Sequence, residues 1–139
     1  MPPAAAFLTG EQVTIRAKLG LLTRPEAEER AAAHAELTGW LRMLAREDLL
    51  PRRDRPSPEE FTIALYAYLT RTPAVLIGVS LAEATGERRP QNMPGTVDEY
   101  PNWRIPLTGA DGQPVLLEDL PGHREVQAVA RAVSGGLRR

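Results

Sequence analysis

The residues best suited to hold a ligand are gathered in one short stretch. Asn92-Met93-Pro94-Gly95-Thr96 is followed closely by Asp98-Glu99-Tyr100-Pro101-Asn102-Trp103-Arg104. Carboxamide side chains donate and accept hydrogen bonds together, which suits the hydroxyls of a sugar. Pro94-Gly95 forms a tight turn that lets backbone approach a ligand closely. Tyr100 and Trp103 are suited to stacking on the apolar face of a sugar ring, and equally to packing the loop onto its scaffold. Residue chemistry alone leaves those two readings even.

The remaining candidates are weaker. Asp98-Glu99 and Glu118-Asp119 are carboxylate pairs. Glycosidic chemistry needs two carboxylates about 5 to 10 Å apart on opposite sides of a sugar. Adjacent loop residues usually point different ways, so capping and solvation are the better reading of both pairs. His34 and His123 have no second histidine or carboxylate at ligand spacing, so no metal site is expected. A nucleophile elbow, a phosphate-cradling glycine loop and a Cys–His arrangement are all missing from the sequence. No residue pattern calls for a cofactor. The basic cluster Arg52, Arg53 and Arg55 could meet a phosphate or an acidic partner, but with no aromatic residue interleaved it reads better as a solvated connector.

These residues need elements to position them. Glu11 to Leu22 has the apolar spacing of a short helix. Thr23-Arg24-Pro25-Glu26 matches a capping box at the start of a helix running to about Glu47, with Ala33, Leu37, Trp40, Leu41 and Leu44 on one face. Ser57-Pro58-Glu59-Glu60 is a second helix start. Its helix buries Phe61, Ala64, Leu65, Tyr68 and Leu69, and Thr72-Pro73 ends it. Ala74 to Ser80 is a continuous, β-branched apolar run, the pattern of a strand buried on both faces of a parallel sheet. Leu81 to Thr85 gives a helical turn ended by Gly86. The ligand loop spans Pro90 to Pro106, and Ala110 to Gln113 turns a small hairpin placed near 104–117. Gly122 to Val133 closes the chain as a helix.

Three segments follow: a helical pair at 11–50, a helix, strand and loop at 57–107, and a turn and helix at 108–139. A lone parallel-type strand has no neighbour in this chain to accept its backbone hydrogen bonds. The mismatch points to a larger sheet outside it.

Composition sets the outer bounds. At 42% hydrophobic and 25% charged residues, the chain of 139 is in the globular range rather than the disordered one. A net charge of -1 gives no ground for a nucleic-acid partner. No apolar run approaches the roughly 18 residues that a membrane span needs. Met1 to Phe7 lacks the charged region of a secretory signal, and the absence of cysteine excludes a disulfide framework. The default is a cytoplasmic bacterial-type protein.

The order of Arg71-Thr72-Pro73, the apolar run Val75 to Val79, the short segment Leu81 to Glu87, the loop Asn92 to Thr96 and the downstream Asn102-Trp103-Arg104 resembles the closing part of bacterial 4-alpha-glucanotransferases. The likeness covers most of residues 5 to 107. It implies the C-terminal part of a (β/α)8 barrel with inserted subdomains, in which 75–79 is the eighth strand and the loop after it faces the active site. It implies transfer of alpha-1,4-glucan segments between maltodextrins by a retaining double displacement. It places Asn92, Pro94, Gly95 and Trp103 at the bound glucan. The family's catalytic nucleophile, acid/base and stabilising Asp all lie upstream, the last in a Thr-His-Asp motif just before the residues aligned with Met1-Pro2-Pro3. This chain therefore corresponds to the last portion of such an enzyme and is expected to be silent alone. Its expected partners are alpha-1,4-glucans and either the N-terminal barrel portion or a second copy of itself. The alternative is a non-catalytic helical interaction module, or a glucan-binding fragment, derived from that enzyme.

Overall fold

The computed structural model describes residues 2–51 and 55–137. The chain runs through α1 (Ala4–Thr9), α2 (Glu11–Lys18), α3 (Glu26–Arg46), α4 (Pro58–Leu69), α5 (Leu81–Thr85), a 3-10 helix (Leu117–Gly122) and α6 (Arg124–Gly136). Arg52 and Arg53 of the basic cluster lie outside the described residues, as does Met1.

Helix α4 is the axis on which the rest is arranged. Ser57 caps it as expected: its hydroxyl accepts from the Glu60 N–H, and the Glu60 carboxylate accepts from the Ser57 N–H at 2.7 Å. Phe61 and Ala64 on one face of α4 meet Ala4 and Phe7 of α1, Leu44 of α3 and Leu50. The Phe7 and Phe61 rings stack with centroids 6.4 Å apart. The other face of α4 offers Tyr66, which is buried with Ala84 of α5 and Val129 of α6. Leu69, expected in the buried face, is exposed at the helix end.

Three expectations are corrected here. The Thr23–Glu26 capping box does not form. Pro25 stands at the N-cap of α3, and the Thr23 hydroxyl donates instead to Glu29, at 3.2 Å. Residues 75–79 form no strand, and no strand is present among the described residues. Val75 and Leu76 stand almost wholly in solvent, at 104% and 88% of full exposure. The cause is the one the pattern foreshadowed: an extended segment without a neighbouring strand has nothing to accept its ladder of hydrogen bonds. The hairpin near 104–117 shrinks to a single antiparallel bridge, Thr108 to Pro114, around the Gly109–Gln113 turn. The prolines at 106 and 114 cannot donate to a ladder, which limits it there.

Candidate functional site

The polypeptide leaves α5 at Gly86, makes a long excursion, and returns at Thr108. Gly86 has φ +85°, and a Cβ there would come within 3.0 Å of the Ala110 side chain, so glycine lets the returning segment pass close to the departing one. The next residue, Glu87, is 2% exposed and binds both limbs. Its carboxylate accepts from the Arg89 backbone N–H at 2.8 Å, from Arg89 Nε at 2.9 Å and Nη2 at 2.7 Å, and from the Thr108 hydroxyl at 2.8 Å. Arg89 Nη2 also donates to the Pro106 carbonyl. Burial pushes the Glu87 carboxyl upward, but the hydrogen bonds from Arg89 and Thr108 outweigh it and hold the pKa at about 2.

The tip of the excursion has its own bracing. Asn102 Oδ1 accepts from the Met93 N–H at 2.7 Å, and its Nδ2 donates to the Thr96 hydroxyl at 2.9 Å. The Trp103 N–H donates to the Gln91 carbonyl at 2.7 Å, and the Tyr100 hydroxyl donates to the Pro90 carbonyl at 2.7 Å. Gly95 sits at φ +92°, and Trp103 at φ +59°, a left-handed conformation that a non-glycine residue adopts only when its surroundings hold it there. Trp103 nonetheless keeps its indole out in solvent, at 77% exposure.

The loop forms one wall of a cleft of about 770 Å³. Asn92, Pro94 and Trp103 line it from the loop, Gln12 from α2, Ser80 and Glu83 from the start of α5, and Pro2 and Pro3 from the beginning of the chain. Gly95 is at the turn beside it rather than in its lining, packed against Leu21. Asn92 is exposed and its side chain has no hydrogen-bond partner among the described residues. Gln12 and Gln91 also line the cleft, and Gln12 Oε1 and Gln91 Nε2 are buried without a partner among the described residues. The cleft thus offers the free Asn92 carboxamide and a stacking ring, the chemistry that binds polyols.

Its carboxylates are mostly engaged. Glu83 accepts from the Tyr66 hydroxyl at 2.7 Å, while that hydroxyl accepts from the Ser80 N–H; burial, together with Glu83, raises the phenol's pKa and keeps it protonated. Glu29 is held by Thr23, Arg16 and Arg24; burial raises its pKa, but these three partners outweigh it and lower it overall. Neither Asp98-Glu99 nor Glu118-Asp119 faces the cleft. Glu99 accepts from the Val97 N–H and Asp119 from the Leu116 N–H, the local capping expected of them. His34 is exposed on α3 and His123 lies beside Glu125 at the start of α6. No cluster of metal-ligating residues occurs among the described residues. A larger groove of about 1110 Å³ along α1, α2 and α3 contains none of the loop residues, so the loop's chemistry belongs to the smaller cleft.

Of the four residues expected at the ligand, Asn92, Pro94 and Trp103 line the cleft and Gly95 does not. Asn102 was visible as the partner of Trp103 in the motif, yet its role as the internal brace was missed. Glu87 and Arg89, just after the helix-ending Gly86, carry no signal of their pairing in the sequence beyond lying two residues apart.

A family model described as 4-alpha-glucanotransferase matches residues 2–111. The chain belongs to the 4-alpha-glucanotransferase family. It is 51% identical over 133 residues to 4-alpha-glucanotransferases of Mycobacterium bovis and Mycobacterium tuberculosis. Those alignments cover 96% of this chain and 18% of each relative. The crystal structure of amylomaltase from Corynebacterium glutamicum superposes with a TM-score of 0.85 at 35% identity, over 96% of this chain and 20% of that one. The chain therefore spans about a fifth of the length of the relatives it matches. No helix among the described residues is long and apolar enough to cross a membrane.

Proposed function

We propose that this chain is the C-terminal portion of the catalytic (β/α)8 barrel of a 4-alpha-glucanotransferase, and that its 90–106 loop binds the glucan. The enzyme as a whole transfers alpha-1,4-glucan segments between maltodextrins with retention. An upstream Asp displaces the glucan's leaving oxygen at C1, an upstream Glu protonates that oxygen, and an acceptor hydroxyl, deprotonated by the same Glu, then releases the covalent sugar. This chain supplies positioning. Asn92 donates to and accepts from sugar hydroxyls, Trp103 stacks on a ring, and Pro94-Gly95 holds the turn between them.

One observation carries the reading: the free Asn92 amide and the exposed, left-handed Trp103 share a cleft with Pro2 and Pro3. The family resemblance sets the stabilising Asp just before those prolines, so loop and catalytic centre would meet in one place. On the same reading, the exposed 75–79 segment is the eighth barrel strand waiting for neighbours supplied by the rest of the enzyme.

The test is Asn92→Ala in a complete 4-alpha-glucanotransferase containing this segment. The Asn92 side chain braces nothing here, so the melting temperature should hold. Loss of one or two hydrogen bonds to substrate should lower kcat/KM by roughly tenfold to a thousandfold. Unchanged kinetics would refute the binding role.

A further inference from the structure

The 90–106 loop is built in two tiers. Asn102, Thr96 and Gln91 brace its tip, and Glu87 with Arg89 ties its two ends together. We infer that Glu87 is a positioning residue of the glucan site, closing the neck of the loop through Arg89 and Thr108 so that Asn92 and Trp103 stand ready at the cleft wall. The inference rests on the glucan-binding reading of that loop.

Glu87 does not touch the cleft; Arg89, Gln91 and Asn92 line it. The carboxylate acts through others. It takes the Arg89 backbone and side chain on the outgoing limb and the Thr108 hydroxyl on the returning limb. Arg89 then extends the clasp to the Pro106 carbonyl. A long loop held only at its tip would sample many orientations, and binding would have to order it. Trp103 adds a second requirement. Its left-handed backbone persists only while the surrounding structure over-determines it, and the Trp103 N–H bond to Gln91 lies directly beyond the Arg89–Pro90 limb that Glu87 fixes.

The charge matters as much as the shape. Arg89 presents a forked pair of donors to both carboxylate oxygens, a geometry that an amide cannot match. Glu87→Gln keeps the volume, turns an amide NH2 toward the guanidinium, and leaves the Arg89 charge without its partner. The loop should loosen while the catalytic carboxylates upstream are untouched. A loosened loop costs substrate binding rather than chemistry, so KM should rise with kcat little changed.

The experiment measures maltotriose disproportionation by a complete 4-alpha-glucanotransferase containing this segment. Glu87→Gln should raise KM by about tenfold while kcat stays within about twofold. Thr108→Val removes one of the clasp's bonds at constant shape, and should raise KM in the same direction but less. If Glu87→Gln fails to fold, Thr108→Val decides the question. Glu87→Gln should cost less in an Asn92→Ala background than in the wild type, because part of its effect passes through Asn92 and the rest through Trp103. Unchanged KM per folded molecule in both neck variants, with lowered melting temperatures, would make Glu87 purely structural and overturn the inference. Multiplying effects in the double variant would overturn it too. A kinetically silent Asn92→Ala would instead sink the glucan-binding reading, and the inference with it.

Discussion

The contrast between Asn92 and Asn102 shows how one residue type does two jobs. Both are asparagines of the same loop. Asn102 spends its carboxamide on Met93 and Thr96, while Asn92 keeps its own free toward the cleft. A sequence gives no way to divide those roles, because the division depends on which side of the turn each carboxamide faces. Glu87 is the third residue that decides the site. Its folded pKa of about 2 is below the ordinary 4.5, so it contributes stability above pH 4.5 and loses that contribution as pH falls toward 2. The shift is worth on the order of 3 kcal/mol. The stability difference between wild type and Glu87→Gln, measured by urea unfolding of the isolated chain, should therefore be largest near pH 6 and shrink steadily toward pH 3. A difference that stays constant across that range would mean the carboxylate's charge is not what the clasp uses.

At the scale of elements, helices were legible where their ends carried chemistry. Ser57, Pro58 and Glu60 announced α4, and the cap is present as read. Ser57→Ala should destabilise the chain by about 1 kcal/mol, seen as a lower urea midpoint with an unchanged slope. A midpoint shift indistinguishable from zero would show that tertiary packing of Phe61, not the cap, sets the start of α4. The Thr23 cap places the start of α3 two residues too early: Pro25 is the N-cap, and Thr23 reaches past Glu26 to Glu29. Helix α1 was not foreseen. Its signal is small, since Ala4, Ala5 and Ala6 are helix formers without an amphipathic period, and its burial comes from α4. The run at 75–79 was read as a strand from composition. Composition can specify that a segment wants to be buried and extended, but a strand needs a partner, and the partner is not in this chain.

For the whole molecule, that unpartnered segment is the main exposed feature of a chain that spans about a fifth of the length of the relatives it matches. Val75, Leu76 and Val79 stand exposed, and the backbone at 75–79 has no hydrogen-bond partner among the described residues. Such an edge is a template for pairing with another chain. Within the full barrel, as we propose it, the neighbouring strands occupy this edge and the apolar side chains alternate between the barrel interior and the surrounding helices. In the isolated chain the same edge is free to pair with a second copy. The isolated chain should therefore show concentration-dependent association in sedimentation velocity, and replacing Val75 and Leu76 by lysine should return it to monomer without lowering its helix content, because neither side chain is buried in the fold. If the wild-type chain stays monomeric up to high concentration, the exposed edge is protected by some other means and the segment is not a docking strand. If it associates and the lysine variant associates equally, the groove of about 1110 Å³ along α1, α2 and α3 becomes the surface to test next.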